Sequence, residues 1–113
     1  MDESNLESIM GLIMHGGDAK GKAIEAIKAA KGRNFELAEK KLQEANQSLL
    51  LAHQSQTEQL AKEAAGQGIS VSLLMVHGQD HLMNAITFID LAKEVVDVYR
   101  ELTRVEGEVN GKN

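Results

Sequence analysis

Not one proline interrupts this chain of 113 residues, which is rich in Ala, Leu, Glu, Lys and Gln. Proline is the residue a helix interior tolerates least and those five are among its best formers, so the chain is predicted to be helical nearly throughout. Glycine supplies the punctuation. Gly32-Arg33-Asn34 joins a glycine able to end one helix to an asparagine able to cap the next, and Gly66-Gln67-Gly68 is followed by Ser70 and Ser72 as candidate caps. Three helices are expected, over roughly residues 4–31, 35–65 and 70–104. With two short connections they make an antiparallel, up-down-up three-helix bundle, a single all-α domain over residues 1–113 whose polar end, about 106–113, is expected to fray.

Apolar residues in the first two helices recur at spacings of mostly three and four. Leu6, Ile9, Met10, Ile13, Gly17, Ile24 and Ile27 form one stripe, and Phe35, Ala38, Leu42, Ala45, Leu49, Ala52 and Leu60 form the other. Gly11, Gly16, Gly17 and Gly21 cost about 1 kcal/mol each relative to Ala inside a helix, so several are expected to admit a neighbouring backbone at close range. A locally loosened helix is the alternative.

The third helix is different. Leu73, Leu74, Val76, Leu82, Met83, Ile86, Phe88, Ile89, Leu91, Val95, Val96 and Tyr99 cover far more than one stripe, and a bundle of three helices cannot bury them all. Further cover in so small a chain must come from other subunits, which predicts a homo-oligomer built around this helix. At about 100° per residue, Leu73, His77, Asp80, Asn84, Thr87 and Leu91 share one face, a polar seam through the most apolar helix. Polar residues at such positions can simply set register. Copies of Asp80 brought together on a symmetry axis need relief by protonation, basic partners or a bound cation, which suggests a metal shared between subunits. His77, Asp80 and His81 also have the spacing of a helical metal site within one chain, and a neutral His77 could instead serve as a nucleophile, oriented by Gln79 or by a residue of the second helix.

Composition removes other classes. With no cysteine, disulfides, thiolate metal sites and cysteine nucleophiles are excluded, and a reducing compartment, the cytoplasm, is the expectation. The formal net charge of −5, with basic residues scattered singly, leaves no patch for a nucleic acid, and only three aromatic residues are present to stack on bases. No apolar run approaches the roughly 20 residues that span a bilayer, and the acidic start MDESNLES is unlike a signal peptide, so neither membrane insertion nor export is expected.

The segment Leu73-Leu74-Met75-Val76-His77-Gly78-Gln79-Asp80-His81-Leu82-Met83 resembles the active-site stretch of the lactose/cellobiose family of enzyme IIA proteins, whose pattern is VHxQDHLM. Ala52-His53-Gln54-Ser55-Gln56-Thr57 resembles the family's AHxxQT segment, and Glu63-Ala64-Ala65-Gly66 the helix end that follows, so that the resemblance covers about residues 5 to 103.

The resemblance implies a homotrimer of three-helix subunits with a phosphorylatable histidine, His77, at each subunit interface and the Asp80 carboxylates gathered around a central divalent metal ion, Mg2+, one per trimer. It implies a phosphocarrier of the sugar phosphotransferase system that accepts its phosphoryl group from HPr and passes it to a cysteine of enzyme IIB, for disaccharide uptake through the membrane component, enzyme IIC. His81, Gln56 and Gln79 are the candidate auxiliary groups around the transferred phosphoryl. Gly78 stands where the family commonly has Ala, which predicts slight local loosening beside the nucleophile. His53 is expected to pack rather than react, and His15 has no derivable role. Two rival readings are a metal-binding protein using His77, Asp80 and His81, and an oligomeric interaction module whose seam serves only assembly.

Overall fold

The computed structural model describes residues 3–111, and within them the chain is three helices: α1 (Glu3–Lys31), α2 (Phe35–Ala64) and α3 (Leu73–Gly111). The bundle is a rod, 68 × 20 × 19 Å. Both connections end their helices in the same way. At the first, Asn34 N–H donates to Ala29 O and Arg33 N–H to Ala30 O, with Arg33 in the left-handed region at φ 65°. At the second, Gln67 N–H donates to Lys62 O and Gly66 N–H to Glu63 O, with Gly66 at φ 76°. Both are Schellman closures, which satisfy the last carbonyls of a helix at the cost of one left-handed residue. Glycine takes that place only in the second. In the first it falls one residue beyond Gly32, on Arg33, whose guanidinium donates to Lys31 O and Glu106 and lies 5.4 Å from the centre of the Tyr99 ring.

Asn34 caps α2 by accepting from Leu37 N–H at 3.2 Å, and Ser72 caps α3 by accepting from Met75 N–H at 3.1 Å. The second cap decides between the two serines and starts α3 at residue 73 rather than 70. At its other end α3 continues to Gly111, so the polar stretch 106–111 expected to fray is helical; residues 112–113 lie outside those described.

The buried face of α1 keeps Ile9 of the expected stripe but is turned away from the rest of it. Ile9, Leu12, Ala19, Ala23, Ala26 and Ala30 are buried with Gly16, whereas Leu6, Met10 and Ile24 of the expected stripe are exposed and Ile13, Gly17 and Ile27 half-buried. Helices that approach closely bury small side chains, and this core is largely alanine. In α2, Ala38, Leu42, Ala45 and Ala52 are buried as expected, while Leu60 is exposed and its neighbour Gln59 is buried instead. In α3 the inward line is Gly78, Leu82, Ala85, Ile89, Ala92 and Val96, spaced by four and three.

Two of the four α1 glycines admit a neighbour. A Cβ on Gly16 would stand 3.3 Å from the His81 backbone carbonyl, and one on Gly11 would stand 2.7 Å from Ser55 Oγ, whereas Gly17 and Gly21 meet nothing within 4 Å. Gly78 is buried in the helix, where a Cβ would meet Ile9 and Leu12 at 3.4 Å, ordinary van der Waals contact. Gly78→Ala is therefore expected to raise stability by about 0.5–1 kcal/mol through helix propensity, read as a higher urea midpoint at fixed protein concentration.

Candidate functional site

The first turns of α3 carry the residues singled out by the sequence. Gly78 and Leu82 turn inward against Ile9, Leu12 and Ala52, which fixes the rotation of α3 and turns the opposite side outward. The seam residues Leu73, His77, Asp80, Asn84, Thr87 and Leu91 are all exposed in the single chain.

His77 and His81, one turn apart, are in direct contact. Their Nε2 atoms lie 3.1 Å from each other, and the rings meet edge to face with centroids 4.5 Å apart. At that separation one Nε2 carries a hydrogen and the other accepts it, so one ring presents a lone pair directed by its neighbour. His81 is half-buried because its backbone is pressed on Gly16, whereas His77 is exposed. Two hollows flank the pair. An open apolar one of about 420 Å³ is lined by Leu73, Leu74 and His77. A smaller one of about 170 Å³ is lined by Gly16, Gly17, Lys20, Asp80, His81 and Asn84. Lys20, whose Nζ lies 5.7 Å from the centre of the Phe88 ring, is the basic side chain of that lining, a place no periodicity signals, because a lone lysine on a helix reads as a solvated side chain.

Other expected partners fall elsewhere. Gln56 Nε2 donates to Gln79 Oε1 at 2.8 Å, which ties α2 to α3, but neither amide bonds to His77. Gln79 is two positions from His77 and so lies on nearly the opposite side of the helix, facing away from the imidazole of its own chain. Nor do His77, Asp80 and His81 converge: among the described residues no group of three or more His, Cys, Asp or Glu side chains is placed to hold a metal ion. A site complete within one chain, as one rival reading requires, is not formed. Asp80 is exposed and has no ion pair or hydrogen bond to its side chain among the described residues. The His53 side chain is exposed and His15 is half-buried, both without hydrogen bonds from their rings among the described residues.

Residues 7–100 match the family of lactose/cellobiose-specific IIA subunits of the phosphotransferase system. The chain belongs to that family. It is 46% identical over 107 residues to the lichenan-specific phosphotransferase enzyme IIA component of Bacillus subtilis (strain 168), covering 95% of this chain and 97% of that one. Among solved structures it resembles the cellobiose-specific enzyme IIA of Bacillus anthracis, with a TM-score of 0.88, 36% identity, and coverage of 92% of this chain and 95% of that one. It also resembles the IIA(chitobiose) of the IIA(chitobiose)–HPr complex of the N,N'-diacetylchitobiose branch of the Escherichia coli phosphotransferase system, with a TM-score of 0.77, 32% identity, and coverage of 90% and 99%. This IIA chain is a phosphocarrier component of a sugar phosphotransferase system, a phosphotransfer protein in the transferase sense. Among the described residues no helix is long and apolar enough to cross a membrane.

Proposed function

We propose that His77 is the phosphoryl acceptor, that phospho-HPr is its donor and that a cysteine of enzyme IIB receives the group, in the uptake of a disaccharide of the lactose, cellobiose or chitobiose type through enzyme IIC. The observation that carries this reading is the exposed His77 ring, with its Nε2 held 3.1 Å from that of His81 in the segment the family match includes. When His81 is the donor, His77 Nε2 holds its single lone pair in that hydrogen bond and keeps its ring proton on Nδ1; the lone pair is freed for attack as the His81 N–H turns away. In-line attack forms the bond from Nε2 to phosphorus as the bond from phosphorus to the donor breaks, and the electron pair leaves with the donor. The His81 N–H, released from His77, then donates to a phosphoryl oxygen. In the second transfer a thiolate sulfur of enzyme IIB bonds to phosphorus and the electron pair returns to Nε2. Gln56 and Gln79 act one step removed, by holding α2 against α3.

The protein works as a homotrimer with the exposed face of α3 at its axis. That places three Asp80 carboxylates together, oxygen donors suited to a hard divalent cation, Mg2+, one per trimer. The cation offsets like charge and takes no part in the transfer. Chelation is expected to lower the thermal midpoint of the assembled protein, and Asp80→Asn to abolish that sensitivity; equal sensitivity in the variant overturns the assignment. The acceptor itself is tested by incubation with phosphoenolpyruvate, enzyme I and HPr, followed by mapping of acid-labile phosphate, which is expected on His77 alone. Absence of label with active partners rejects the reading.

A further inference from the structure

Gln59, on the inward side of α2, is only 8% exposed, yet its Nε2 has no hydrogen-bond partner among the described residues. Buried amides are nearly always paired, so an orphan of this kind calls for a partner from outside the fold. Gln59 lines a hollow of about 380 Å³ between the end of α2, the connection 65–72 and the first turns of α3. The terminal torsion of a glutamine is broad, so a small turn presents the amide N–H to that hollow. Two more polar side chains stand on the lining, Glu63 one turn further along α2 and Gln79 of α3. The wall is otherwise aliphatic, with Leu60, Ile69, Val71 and Met75. Gly68 lets the connection lie against α2, since a Cβ there would stand 3.4 Å from Glu63 Cα. Residues 68–71 make no backbone hydrogen bond among the described residues, so this wall keeps its own donors and acceptors open.

The lining selects a ligand class. Among the described residues it holds one carboxylate and no histidine, a poor cage for a cation, and no basic side chain to hold a phosphate. Nor does it hold an aromatic ring on which a base would stack. A carboxylate and two amides against an aliphatic wall suit hydroxyls. A hydroxyl both donates and accepts, so neighbouring hydroxyls of one ring can donate to Glu63 and accept from Gln59, while the C–H side of the ring rests on Ile69, Val71 and Met75.

We infer that this hollow binds a neutral saccharide, as a ligand and not as a phosphoryl acceptor. Gln79 lies on nearly the opposite side of α3 from His77, so within one chain the sugar and the transferred group are on different sides of the helix. The uptake reading above supplies a source. A disaccharide that arrives with one phosphate, once hydrolysed at its glycosidic bond, must give one phosphorylated and one neutral sugar. The neutral hexose is the product this lining admits, which makes the hollow a sensor of carbohydrate already taken in. The source rests on the uptake reading; the preference for a neutral saccharide rests on the hollow alone.

The test is a titration of the 15N-labelled full chain with glucose, galactose, cellobiose and glucose 6-phosphate, followed by amide chemical shifts. A neutral sugar is expected to give saturable shifts at Gln59, Glu63, residues 68–71 and Gln79 with a Kd of about 0.1–10 mM, and glucose 6-phosphate to bind at least about tenfold more weakly. Gln59→Leu removes the orphan amide at similar volume, so it should keep a urea midpoint equal to or above the wild type and bind the sugar at least about tenfold more weakly. Glu63→Gln, at an exposed position, should fold normally and weaken the same binding. No saturable shift with any neutral sugar up to about 100 mM overturns the inference, as does undiminished binding by Gln59→Leu or by glucose 6-phosphate. Shifts at these residues on adding HPr, with none from sugar, overturn it in favour of a protein partner. Labelling of His77 is measured on the same protein without sugar, so failure of the uptake reading appears as lost label and failure of the sugar site as lost shifts.

Discussion

His77→Ala is expected to reduce phosphoryl acceptance from phospho-HPr by at least about 10³-fold, to the level of the unreacted control, because the substitution removes the exposed nucleophile and the half-buried His81 does not take its place. His77 bonds only to His81 among the described residues, so the variant loses no core contact and should keep its helix content and assembly. The contrast with His81→Ala is informative. That variant keeps the acceptor but loses the N–H that faces it, so labelling should persist at His77 with a rate lowered by about tenfold or more. Time courses of acid-labile phosphate on both variants, with circular dichroism as the folding control, separate the roles. Wild-type labelling of His77→Ala would reject His77 as the acceptor, and complete loss in both variants would make the pair a joint requirement.

The largest stability effect is expected one turn further along the inward side of α3. Leu82 is fully buried among Leu12, Ala52, Leu49 and Ile86, and is one of the few large side chains in a core otherwise made of alanine. Helices already in contact cannot close around a lost isobutyl group, so Leu82→Ala should cost about 2–5 kcal/mol, measured by urea unfolding at fixed protein concentration. Because Leu82 and Gly78 set the rotation of α3 against α1, the variant should also blur the geometry of His77 and His81. A cost below about 1 kcal/mol would mean that α3 is positioned by its outward face and its copies, not by its own bundle.

Much of this was legible without coordinates. The absence of proline, the two glycine-bearing breaks and the capping residues predict three helices, because helix formation is local and its signals are side chains acting within a turn. The polar seam was legible too, since the placing of His77, Asp80 and Asn84 on one face follows from helix geometry alone. The roles of individual seam residues were not, because spacing sets a direction and not a partner. Gln79, off the seam but two positions from His77, shows the same limit: it bonds across to Gln56.

What only the tertiary structure decided is which of two neighbouring faces turns inward. On α1 the expected hydrophobic line includes Leu6, Ile9, Met10 and Ile24, yet the bundle buries Ile9 with Leu12, Ala19, Ala23, Ala26 and Ala30 and leaves Leu6, Met10 and Ile24 exposed. Hydrophobicity ranks residues by the water they lose, but how closely two helices approach is set by side-chain volume, and a row of small residues brings them nearer than a row of large ones can. That same choice turns the aliphatic residues Leu91 and Val98 of α3 outward. The sequence by itself determined the helices, their ends and the seam that carries His77; the packing of alanine against alanine decided what remains on the surface to meet other proteins.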